Sequence, residues 1–99
     1  MAKYDVFPDP GGRGFLLDVQ SDLLDGLNTR VVVPVMALDR APLPARRLNP
    51  VFDVQDVPHV MVTQFMSAVP VSILKAPVAN LGTKFSEITA AIDMLTQGF

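Results

Sequence analysis

Turn-forming residues punctuate this chain about every ten positions, the rhythm of a small all-β domain. The spacing predicts a first strand at 4–7, a Pro8-Asp9-Pro10-Gly11-Gly12 loop suited to fixed or positive φ, and a return strand at 15–20. Asp25-Gly26 and Leu27-Asn28 form the next turn, followed by a strand at 30–38 rich in β-branched residues. Pro34 falls inside that strand and lacks a backbone donor, so an edge, a bulge or a bend is expected there. The segment 41–50, with Pro42, Pro44 and Pro50, reads as an irregular excursion with room for a helical turn at 45–48. A second hairpin is expected from 51–55 and 59–63 around Asp56-Val57-Pro58. A further strand follows at 69–74, with Val69, Val71 and Ile73 on one face.

Only the end of the chain has a helical period. Phe85, Ile88, Ile92, Leu95 and Phe99 fall on one apolar stripe, which predicts an α-helix over about 84–97. Thr83 or Ser86 is available to cap it, and Glu87 lies in the first turn, where the helix dipole favours negative charge. Gly98 occupies a position where a left-handed residue commonly ends a helix. The fold class is therefore mainly β with one C-terminal helix, in a single domain spanning 1–99.

One segment carries two conflicting patterns. In FLLDVQSDLLD, Phe15, Leu17 and Val19 alternate with Leu16, Asp18 and Gln20, the period of a half-buried strand. Leu23 and Leu24 then stand side by side between Asp22 and Asp25. A polar turn rarely spends two leucines, so the pair either tucks into the core or waits for another protein to cover it. The same choice faces Phe99: it caps the core, or it belongs to an interface. Both point to binding rather than chemistry.

Composition excludes several classes. Hydrophobic residues make up 49% of the chain, so a packed core is expected. The net charge is −2 and Arg46-Arg47 is the sole basic pair, which is no nucleic-acid footprint. There is no cysteine, hence no disulfide or thiolate metal site. No apolar run approaches the ~20 residues of a membrane span, so a soluble cytoplasmic protein is expected. His59 is the single histidine, which excludes a multi-histidine metal site within one chain, and it reads as a strand-edge residue. Asp18, Asp22 and Asp25 would align as metal ligands only on a helix, and their segment starts as a strand. Gly11-Gly12-Arg13-Gly14 lacks the lysine and helix of a phosphate loop. No acid, base and nucleophile come together, so neither a catalytic site nor a cofactor is expected.

Five segments, in order, resemble the CcdB toxins: LLDVQSDLLD, RVVVPV at 30–35, LNPVF at 48–52, MSAVPVSI at 66–73 with VANL at 78–81, and a terminal helix ending in Gly98. The resemblance runs from about Tyr4 to Phe99 without long insertions. It implies a small SH3-like β-barrel with an antiparallel sheet, a minor sheet and one C-terminal helix. It also implies a homodimer, with the helices and the VPVS strand near the twofold axis, placing Val69, Val71, Met94 and Leu95 at the subunit contact. CcdB toxins poison DNA gyrase by binding its A subunit and trapping cleaved DNA. A partly disordered CcdA antitoxin wraps them, and contact with DNA comes only through that antitoxin in a repressor complex.

Position by position, the family's target-binding serine corresponds to Ser21, its apolar pair to Leu23 and Leu24, and its helix asparagine to Asp93. The family ends Phe-Trp-Gly-Ile; this chain ends Thr96-Gln97-Gly98-Phe99. Leu23, Leu24, Gln97, Gly98 and Phe99 are thus expected to form the contact surface, rimmed by Ser21, Asp93 and Thr96. Losing the aromatic pair leaves an alternative open, a CcdB-like protein retargeted or no longer toxic that still binds an antitoxin. A further alternative is a ribonuclease like the MazF toxins that share the barrel, with Arg13, Arg30, Arg46 and Arg47 lining its groove.

Overall fold

A computed structural model describes residues 1–99. In chain order the elements are β1 (Asp5–Pro8), β2 (Phe15–Asp18), β3 (Thr29–Ala37), β4 (Val51–Val54), β5 (Val57–Met61), β6 (Ser67–Pro70), β7 (Ala79–Asn80) and α1 (Phe85–Gln97). All strand pairs are antiparallel, in the order β4-β5-β3-β2-β1-β7, with β6 branching from β3. The result is a nearly closed, barrel-like sheet with one helix, which fits a small SH3-like barrel. The β4–β5 hairpin belongs to the same seven-stranded sheet, joined through the end of β3.

β3 is the pivot of this arrangement. One edge pairs with β2 from Val32 to Val35. Its other edge serves two strands in succession, β6 along 29–32 and β5 along 35–37. Pro34 stands at the changeover. Its carbonyl accepts from the Val62 N–H at 2.9 Å, so its nitrogen faces the same side, where β6 has ended and the β5 ladder is only starting. The missing donor therefore costs no ladder bond. The expected irregularity is real, but it is a branch point in a central strand rather than an edge.

The core lies on both faces of the sheet. On one face Val6, Leu17, Val33 and Val35 pack with Phe52, Val54 and Met61 beneath the helix residues Ile88 and Ala91. On the other, Phe7, Leu16, Val32 and Leu74 form a smaller cluster, with Val69 and Ile73 against it. This second layer corrects the reading of 15–20 as half-buried. Leu16, Asp18 and Gln20, the row expected to face water, are all buried: the segment after β6 packs on the cluster that holds Leu16, Asp18 lies against Arg30, and Gln20 bonds to Val31 and Leu24.

Three other expectations change. The segment 69–74 does not continue as a strand. Pro70 ends β6 and Val71–Ile73 turns as a 3-10 helix, its first N–H donating to Asn28 O at 2.9 Å. The second hairpin turns at Gln55-Asp56, one step before the expected position. Both residues have positive φ (52° and 64°), the paired left-handed geometry that matches strand twist in two-residue turns. Neither Thr83 nor Ser86 caps α1, which is entered through a 3-10 turn at Gly82–Lys84 and has no side-chain cap bond. The single turn near 45–48 is present, closed by Asn49 N–H to Ala45 O at 2.9 Å. Asn49 is itself buried; its amide donates to Met61 O and Gln64 Oε1, tying the proline-rich excursion to the barrel.

The Pro8–Gly14 loop has the positive φ values its glycines suggest. Gly14 sits at φ +116°, and a Cβ built there would lie 2.6 Å from the Val35 carbonyl oxygen. Backbone strain and that clash together should make Gly14→Ala cost about 2 kcal/mol or more, lowering Tm by roughly 10 °C. Gly12→Ala, strained but with open space around it, should cost less. Thermal unfolding of both variants checks the order.

Candidate functional site: a pinned leucine turn and the helix tip

The conflict within FLLDVQSDLLD resolves in favour of exposure. After β2 the chain makes a 3-10 turn at Asp22–Leu24, with Ser21 as its cap. The Ser21 hydroxyl accepts from Leu23 N–H at 3.2 Å, and the Ser21 carbonyl accepts from Leu24 N–H at 3.0 Å. Leu23 is 95% exposed and Leu24 50%. Leu27, half-exposed just beyond, extends the apolar patch and was not singled out from sequence.

This turn is anchored from below. Asp18 pairs with Val32 across the β2–β3 ladder, and Arg30 lies two residues along β3 from Val32, so the two share a face as diagonal neighbours. Both are almost wholly buried. Arg30 Nε donates to Asp18 Oδ2 at 2.9 Å, and Nη2 lies 2.6 Å from the same oxygen, an ion-pair contact too bent to count as a second hydrogen bond. Arg30 Nη1 reaches Asp25 Oδ1 at 3.3 Å, and Nη2 lies 3.8 Å from Asp22 Oδ1. Gln20 works beside it: its side-chain Oε1 accepts from Val31 N–H at 3.0 Å and its Nε2 donates to Leu24 O at 3.1 Å. Desolvation raises the Asp18 carboxyl above the ordinary carboxylate range, opposed by the hydrogen bonds from Arg30 and the Gln20 N–H.

The three aspartates therefore do converge, without a helix, around an arginine. Sequence reasoning missed Asp18, Gln20 and Arg30 as a unit. The available signal was parity: Asp18 shares a face with Leu16 and Arg30 with Val32, and a buried carboxylate needs a cation. Burial also removes Arg30 from any open basic groove, leaving Arg13, Arg46 and Arg47 exposed on loops.

At the other end of the chain, Gly98 closes α1 in the left-handed conformation (φ 84°), its N–H shared between Asp93 O and Met94 O at 3.2 Å each. Gln97 Nε2 donates to Asp93 Oδ1 at 3.4 Å, and Thr96 Oγ1 to Ile92 O at 2.9 Å. Phe99 is 73% exposed, so it does not cap the core. No hydrogen bond or ion pair links this tip to the leucine turn; within one chain they are separate patches. Val69 is half-buried against the second core layer, Val71 and Met94 are half-buried, and Leu95 is 40% exposed.

The remaining candidate, His59, lies within β5 between two partner strands, not at a strand edge. Its Nδ1 is 2.7 Å from the Val57 carbonyl, which can only accept, so Nδ1 carries the proton. The ring stands edge-on to Phe15 with centroids 5.2 Å apart, a packing role.

These features define a small antiparallel barrel with one appended helix and apolar side chains raised at two points on its surface. A family model described as CcdB protein matches residues 3–98, and the chain belongs to the CcdB family. Membership places it among the toxin components of toxin–antitoxin systems. No helix is long and apolar enough to cross a membrane.

Proposed function

We propose that this chain is a homodimeric, non-enzymatic toxin that binds the A subunit of DNA gyrase and traps the enzyme on cleaved DNA. The observation that carries the reading is the pinned turn, which holds Leu23 and Leu24 in solvent at the positions the family uses for its target. Gln97, Gly98 and Phe99 add the second patch, with Ser21, Asp93 and Thr96 at the rim. Val69, Val71, Met94 and Leu95 lie at the subunit contact, so that two copies bring paired patches to one target. A CcdA-like antitoxin neutralises the toxin in the cytoplasm and supplies the only route to DNA.

Expression in a gyrase-sensitive bacterium is expected to arrest growth and accumulate gyrase–DNA cleavage complexes, with a dimer by light scattering at micromolar concentration. Normal growth at high expression overturns the reading.

One feature favours a second reading. Gln97 stands where the family carries tryptophan, and one central aromatic contact is typically worth ~2 kcal/mol in an interface. A toxin whose target surface has been retargeted or lost would still bind its antitoxin. Capture of an antitoxin without gyrase distinguishes it, and a gain in gyrase affinity in Gln97→Trp would locate the lost contact.

A further inference from the structure

We infer that Arg30 is a positioning residue for the exposed leucine pair, gathering Asp18, Asp22 and Asp25 so that the 22–24 turn keeps one orientation towards its partner. The inference rests on the reading that Leu23 and Leu24 meet gyrase.

The geometry separates this role from simple core filling. Asp18 fixes the guanidinium to the barrel wall through a buried contact at 2.9 Å. The other contacts leave the wall: Asp25 follows the turn, at 3.3 Å, and Asp22 begins it, at 3.8 Å. The same planar cation thus lies against both ends of one short turn, bonded to Asp25 and within ion-pair distance of Asp22, whose Oδ1 also accepts from the Lys3 N–H at 2.8 Å. A guanidinium can do this because its donors fan out in a fixed fork, whereas a lysine ammonium is a single point on a flexible stem. Without the cation, three carboxylates would share the space beneath the turn and repel one another, which favours a splayed loop. The Asp22 and Asp25 side chains are each 63% exposed, so neither contributes much to the barrel interior. Their contact with Arg30 acts on the turn.

Two probes separate positioning from stability. The Leu23 and Leu24 amides, both bonded to Ser21, report order of the turn by hydrogen exchange; the Val33 and Val35 amides report the barrel. In the full-length protein, Asp25→Ala and Arg30→Lys should each speed exchange at Leu23 and Leu24 about tenfold while Val33 and Val35 hold their rates. Affinity for the gyrase A subunit should fall by a similar factor, and Asp25→Glu, which keeps the carboxylate within reach, should restore both. If Arg30→Lys does not fold, Asp25→Ala decides alone. Unchanged turn exchange in Asp25→Ala overturns the inference. So does faster exchange with wild-type gyrase affinity when Leu24→Asp fails to bind. Should Leu24→Asp bind gyrase as tightly as wild type, the functional reading falls instead, and the exchange rates alone judge whether Arg30 orders the turn.

Discussion

Replacing Leu23 and Leu24 together by aspartate should abolish growth arrest and gyrase binding while leaving Tm within a few degrees of wild type. Leu23 makes almost no contact with its own chain, and Leu24 keeps half its surface in solvent. Substitutions at such positions usually change stability by no more than ~0.5 kcal/mol. The effect on a partner is of another order. Two apolar anchors are lost, and two carboxylates must be stripped of water in an apolar socket with no cation arranged to meet them. Together these should cost ~4 kcal/mol or more, roughly a thousandfold in affinity. Equilibrium binding to the gyrase A subunit, read beside thermal unfolding, checks both halves. Retained binding would mean the turn is not the contact, whatever its exposure.

Asp18→Ala should be the most damaging single polar change, lowering unfolding free energy by ~3–5 kcal/mol. It strands Arg30, 1% exposed, with only two half-solvated aspartates for company. Against a typical total of ~5–15 kcal/mol, that loss leaves a marginal fold. The double change Asp18→Leu with Arg30→Met should behave differently. It removes both charges and their desolvation costs, so stability should return to within about 1–2 kcal/mol of wild type by urea denaturation. The double variant also divides stability from positioning: the barrel should fold, yet the turn above it, with Asp22 and Asp25 released, should still bind gyrase weakly. A double variant as unstable as Asp18→Ala would mean that the ion pair itself contributes net stability.

The architecture was legible where a simple period meets a simple environment. The helix follows from the Phe85–Phe99 stripe, and its end at Gly98 from the need for a left-handed residue. The strands at 4–7, 15–20 and 30–38 lie within two residues of β1, β2 and β3. What failed was inference about faces. Alternation identifies two rows of a strand but does not say that distant segments will cover both: Leu16 packs with Val69, Ile73 and Leu74, whereas Asp18 is buried against Arg30 and Gln20 bonds to Val31 and Leu24. The same gap hid the Arg30 cluster, whose members meet only once β2 and β3 are in register. The 69–74 segment misled for a local reason. Valine and isoleucine favour strands, but Pro70 and the bond from Val71 to Asn28 bend the chain into a turn. The resemblance named the residues of the leucine turn; only the geometry explains how they are kept out of the core.

The branching of β3 at Pro34 has a consequence for how the molecule is made. During synthesis β3 leaves the ribosome after β1 and β2 and can zip to β2 at once. Its opposite flank stays open until β5 and β6 emerge, beyond the proline-rich excursion. Long-range pairings of this kind close slowly and expose unpaired strand in the interval. A nascent chain is therefore sticky but unfinished, with α1, the lid of its main core, translated last.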